Sequence, residues 1–129
     1  MGHHPNEQVL KDVDEAQAKG DFEAFMGGFT DDVVVHIGGK NQLAGDYKGK
    51  QEFGEVFQKF SELVPDFSFE GHAYLADDEH GVSLQNSTWK RGDQILETND
   101  AFVCHFRDGK ISEFWLLSNK EAEIDAFLG

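Results

Sequence analysis

Apolar residues recur at helical spacing through the first half of the chain and at every second position through the rest. Val9, Leu10, Val13 and Ala16 share one face of a helix over residues 6–19, and Gly20 stands where a left-handed C-terminal cap belongs. Asp21 is a good N-cap for a second helix, with Phe22, Phe25, Met26 and Phe29 following at i, i+3, i+4 and i+7. The β-branched run 33–37 predicts a strand that Gly38 and Gly39 close. A loop containing Gly45, Asp46, Tyr47 and Gly49 leads into a third helix, which carries Phe53, Val56, Phe57, Phe60 and Leu63 and stops at Pro65.

Beyond Pro65 the period is two. Phe67, Phe69, Ala73 and Leu75 alternate with Ser68, Glu70, His72 and Tyr74, so the first set is expected on the inner face. Asp77 to Gly81 turns the chain, and strands over about 82–90, 94–106 and 111–117 follow. They are joined by hairpins at Arg91-Gly92-Asp93 and Arg107-Asp108-Gly109-Lys110. Ser118-Asn119-Lys120-Glu121 reads as a capping box for a short last helix, which gives Asn119 a capping role beside Ser118. Helices first and antiparallel strands after predict a single α+β domain over residues 1–129, with no repeat or linker. The two closing strands are apolar on both faces, whereas a sheet with helices on one side needs one such face. A second subunit is the simplest cover, so a homodimer through the convex side is expected.

Twelve Phe and two Trp among 129 residues are enough to line a cavity as well as a core. Lys and Arg number 11 against 25 Asp and Glu, and the resulting charge of −14 repels phosphate backbones and anionic headgroups. Nucleic acid and membrane are therefore not expected partners. Cys104 is the single cysteine, which rules out an intramolecular disulfide and a C-x-x-C motif. Its place between Phe102 and Phe106 predicts a buried thiol acting as a small hydrophobe. With no signal-peptide pattern and no run of about 18 apolar residues, the expected compartment is cytoplasmic. His3, His4, His72, His80 and His105 lack metal-ligand spacing, and neither Gly27-Gly28 nor Gly38-Gly39 forms a phosphate loop. No metal and no cofactor are expected.

Three stretches in order resemble one family: GDFEAFMGGFTDDVVVHIGGKNQLAGDYKGKQEF (20–53), YLADDEHGVSL (74–84) and HFRDGKISEFWLLSNKEAEIDAFLG (105–129). The chain is similar to SnoaL-like proteins of the nuclear transport factor 2-like superfamily, relatives of ketosteroid isomerase and polyketide cyclases. The resemblance implies a cone-shaped, strongly curved antiparallel sheet with the N-terminal helices packed across its concave face, an enclosed apolar cavity, and a dimer. Isomerases, cyclases, epoxide hydrolases and dehydratases all occur in such a family, so the fold alone does not select a reaction. In ketosteroid isomerase a carboxylate base works with a Tyr and a protonated Asp, a case the general theory of pKa tuning already treats. By resemblance the base falls at His36 or Ile37, the Tyr near Val13 and the oxyanion Asp near Phe102. The cyclases' tail acid and strand His fall at Asn119 and Phe102, and an amide cannot donate a catalytic proton at neutral pH.

His36 and Asp100 are the candidate catalytic residues. An imidazole at a cavity mouth titrates near neutrality, and Asp100 shares strand parity with Phe102, Cys104 and Phe106. Tyr47, Trp89, Phe102 and Trp115 are candidate pocket walls, while Asn86 and Asn99 are candidate donors to a ligand carbonyl. The function expected is binding of a small apolar, ring-containing or carbonyl molecule, with isomerase-, cyclase- or dehydratase-type proton transfer. A binding module or dimerising scaffold without turnover is the competing reading.

Overall fold

In the computed structural model, residues 4–129 are described, and ten elements run in the order α1 (Pro5–Lys19), α2 (Phe22–Met26), β1 (Phe29–Ile37), β2 (Gly45–Lys48), α3 (Gly49–Leu63), β3 (Asp66–Ala76), β4 (His80–Arg91), β5 (Gln94–Arg107), β6 (Lys110–Ser118) and α4 (Glu121–Leu128). His3 lies outside the described residues. One six-stranded sheet has the order β2-β1-β6-β5-β4-β3, and the helices pack on its concave face. As expected, Gly20 caps α1 in the left-handed region at φ 73°, and the Asp21 side chain accepts a hydrogen bond from the Ala24 N–H. In the β5–β6 hairpin Asp108 and Gly109 both take positive φ, the twist that a tight hairpin needs.

The chain departs from the sequence expectation in five places. Gly27 and Gly28 end α2 after five residues, so Phe29 opens β1 instead of closing a helix. It is 1 % exposed even so, because the short turn directs helix and strand into one core. The loop around Tyr47 forms a strand, β2, antiparallel to β1. Strand β1 runs parallel to β6, so the sheet is mixed; the connection between them is long enough to cross over. In β3 the register shifts between Gly71 and Ala73, which leaves His72 as an extra residue and inverts the parity beyond it. Tyr74 and Ala76 therefore join Phe67 against the core, while Leu75 stands 62 % exposed. Finally, α4 starts at an N-cap, Lys120, with no side-chain cap bond. Asn119 instead accepts from the Asn99 N–H at 2.9 Å, tying α4's approach to β5.

The core is densest where α2 and α3 meet β1 and β6. Phe29 lies 5.2 Å from Phe25, 4.9 Å from Phe53 and 5.6 Å from Phe114, ring centre to ring centre. Tilted and edge-on pairs at these separations add roughly 0.5–1.5 kcal/mol each beyond burial. Next to them Ile111 is fully buried, and its N–H donates to the Gly28 carbonyl at 2.9 Å, which locks the start of β1 to β6. Cys104 is buried as expected, and burial pushes its thiol up to about 12. Ile111→Ala is expected to lower stability by about 2–5 kcal/mol, seen in urea as a lower midpoint at unchanged slope. A loss below 1 kcal/mol would show that this junction is not a keystone.

Candidate functional site

Between the sheet and the helices lies a cavity of about 200 Å³. Eight Phe side chains line it, contributed by α2, β1, α3, β3, β5 and β6. Its polar groups include Asp14 and Gln17, one turn apart on α1, Ser83, Gln85 and Asp100 on the sheet, Ser118 and Glu121 towards α4, and Asn41 from the loop after β1. No Lys, Arg or His lines it among the described residues. An apolar cavity of about 150 Å³ already holds benzene, so this space suits one ring or a fused pair.

Asp100 is where strand parity put it. Its Oδ2 accepts from the Ser87 hydroxyl at 2.5 Å, and Gln85 in turn donates to Ser87 Oγ at 3.2 Å. Asp100 Oδ1 is buried and meets no hydrogen-bond donor among the described residues. Phe102 lines the same wall, its ring tilted against Phe114 with centres 4.7 Å apart. Trp89 lines it too, but its indole N–H is already given to Thr98 Oγ1 at 3.0 Å, so it offers a ligand only its ring.

The structure does not bring His36 to these groups. Val35 and Ile37 face the cavity, which resolves the one-residue ambiguity in favour of Ile37, and His36 projects from the convex side. There Nδ1 meets Asp46 and Nε2 meets Glu113, both at 2.7 Å, and the ring stacks on Trp115 at 4.9 Å. Trp115 is thus a convex-face residue, edge-on to His105. A concerted step shared by His36 and Asp100 is excluded, because the sheet separates them. Asn86 and Asn99 also face outward, beside Leu84 and Leu117 in a shallow groove. Tyr47 packs behind the cavity wall, its hydroxyl donating to the Leu43 carbonyl at 2.8 Å.

A second carboxyl in the cavity escaped the sequence reading. Asp14 accepts from the Tyr74 hydroxyl at 2.8 Å. Burial raises the pKa of Asp14, the Tyr74 bond opposing; burial and then Asp14 push Tyr74 up to about 12. Gly71 makes room for the pair: a Cβ there would collide with the Tyr74 hydroxyl and lie 2.8 Å from Asp14 Oδ2. The signal was present in Gly71, since a glycine inside a strand marks a bulge or a close approach.

On the convex side the hydrogen bond to Glu113, then that to Asp46, raises the His36 pKa, and the bond accepted from His36 lowers Glu113. The raised His36 contributes stability that is complete below its ordinary value of 6.5 and is lost as pH rises through the folded value. Glu113 acts oppositely, losing its contribution as pH falls below 4.5. His36→Gln is therefore expected to flatten the fall in Tm between about pH 6 and pH 9, by an effect under about 1 kcal/mol. Identical pH profiles for the two proteins would refute this linkage.

Comparison with known proteins places this geometry. The SnoaL-like domain model matches residues 10–114. Bal32a, from a soil-derived mobile gene cassette, is 20% identical with TM-score 0.90, over 97% of each chain. A protein of unknown function with cystatin-like fold from Xanthomonas campestris is 23% identical with TM-score 0.88, over 96% of this chain and 98% of its own. TerC, co-crystallised with polyporic acid, is 15% identical with TM-score 0.85, over 98% of this chain and 100% of its own. No curated protein matches the chain. The structural likeness speaks for the fold, and the match over most of the chain shows that this protein belongs to the SnoaL-like family.

Proposed function

We propose that this protein binds a small ring-containing or carbonyl molecule without negative charge and moves a proton on it, with Asp100 as the base. One observation carries the reading: a carboxylate oxygen, Asp100 Oδ1, is buried at an aromatic cavity without a protein donor. A carboxylate in that position either waits for a ligand's donor or takes a ligand's proton. TerC, of similar fold, was co-crystallised with polyporic acid, which agrees with small-molecule binding by a protein of this fold. Carboxylate or phosphate ligands are disfavoured, because Asp14, Asp100 and Glu121 line the space and no cation does.

A second copy of the chain is the proposed partner. Ala73, Leu84, Ala101 and Leu117 form one cross-strand row on the convex face, and Leu75, Val82, Val103 and Trp115 form the next. Leu84, Leu117 and Leu75 are 37%, 53% and 62% exposed, which a self-complementary contact would relieve.

The two-ring ketone 2-tetralone is the test compound, since it fits the space and carries exchangeable protons beside its carbonyl. At 100 times its dissociation constant it should stabilise the protein by about 2.7 kcal/mol. Wild-type protein should accelerate hydrogen–deuterium exchange at that carbon, followed by NMR. Asp100→Asn should slow the catalysed rate by about 10²–10⁴-fold, while His36→Gln leaves it unchanged. Catalysed exchange indifferent to Asp100→Asn would remove Asp100 from the role. For the partner, Leu75→Glu with Leu84→Glu should give monomers in sedimentation velocity where the wild type sediments as a dimer; a monomeric wild type would end that proposal.

A further inference from the structure

The pairing register puts Gly71 on β3, Gln85 on β4 and Asp100 on β5 in one row across three neighbouring strands. The Asp14 carboxyl hangs from α1 over Gly71, held by Tyr74, at one end of that row. Asp100 stands at the other end and leans towards β4, where Ser87 holds its Oδ2. Strands lie about 4.8 Å apart, so the backbone ends of this row are about 10 Å apart, and two side chains reaching inward leave room for one small group between them. Gln85 forms the floor beneath, and the walls around it are aromatic.

The missing element is positive charge. Asp14, Asp100 and Glu121 line the cavity, no Lys, Arg or His does among the described residues, and Asp100 Oδ1 has no donor. The whole chain carries −14, so its field draws cations towards the cavity and repels anions. Aromatic faces add a further preference for a cation over a neutral group. Resting on the cavity reading above, we infer that the ligand is an amine, whose ammonium sits over Gln85 between Asp14 and Asp100 with its apolar ring among the phenylalanines. A neutral hydroxyl could satisfy Asp100 alone; it would leave the half-buried Asp14 with the Tyr74 hydroxyl as its partner among the described residues.

The raised Asp14 pKa adds a second signature. Burial raises the pKa of this carboxyl, the Tyr74 bond opposing, and an ammonium beside it would lower it again. Amine binding should therefore be coupled to proton release as the pH is lowered towards the range in which this carboxyl titrates.

Three ring-matched probes decide the matter by titration calorimetry at low ionic strength: 2-aminotetralin, 2-tetralol and tetralin-2-carboxylate. The amine is expected to bind at least tenfold tighter than the alcohol, and the carboxylate not at all. Asp100→Asn should weaken the amine by 10- to 100-fold and change the alcohol by less than about threefold. Across a series of acidic pH values the amine's enthalpy on wild-type protein should come to vary with buffer ionisation enthalpy, a readout that needs no variant. Asp14→Asn should abolish that variation. An alcohol that binds as tightly as the amine would overturn this inference and leave the cavity reading standing. Binding of none of the three would overturn both.

Discussion

The ring cluster of Phe25, Phe29, Phe53 and Phe114 is the contact on which the molecule turns. It joins the short α2, the middle helix and the two strands that run parallel, and it sits where a break in β1's register bends the sheet. Because these rings are large and rigid, they hold the helices off the concave face and form one wall of the cavity. The cavity is a consequence of that leverage. Smaller residues at the same positions would let α1 and α3 settle onto β3–β5 and close the space.

Legibility in the sequence followed the length and regularity of each signal. The α1 cap at Gly20, the α2 N-cap at Asp21 and the closing hairpin at Asp108-Gly109 rest on local chemistry, and each stands as read. Asp100, Phe102 and Trp89 reached the cavity because strand parity holds through the middle of β4 and β5. Parity failed at His72, where one extra residue exchanged the faces and moved Tyr74 inside. A period-two pattern cannot register a single inserted residue, and Ala73 and Leu75 imitated an inner face because the outer face is apolar too. Asp14 was hidden for a related reason. Its helix reads as an ordinary amphipathic segment, and the space beside its apolar stripe exists only once β3 is placed.

His36 shows the opposite failure. Its residue type suits catalysis, but the side of the sheet is set by Val33, Val35 and Ile37, all of which seek the interior. Three β-branched residues at alternate positions outweigh one imidazole, which loses little by facing outward into a pair of carboxylates and a Trp ring. The two faces thus carry contrasting electrostatics. On the convex side His36 meets Asp46 and Glu113, groups of opposite sign when it is charged; at the cavity Asp14 and Asp100 are held by the neutral hydroxyls of Tyr74 and Ser87.

That contrast bears on what the cavity is for. Leaving a buried polar atom without its partner costs about 1–3 kcal/mol, more for a charged group, out of a total stability of only about 5–15 kcal/mol. Substituting Asp100 by an apolar residue beside Phe102 would remove that cost and would lose only the acceptor of the Ser87 hydroxyl. Strain of this kind persists when something other than folding requires it, and the inference runs from the unpaired atom to a ligand. The same reasoning applied to Gly71 is stronger, because there the backbone itself was left bare so that Asp14 and Tyr74 could meet over the sheet. Two independent concessions, on different strands, converge on one row of the cavity floor, and a row with acid at both ends calls for a ligand that brings the opposite charge.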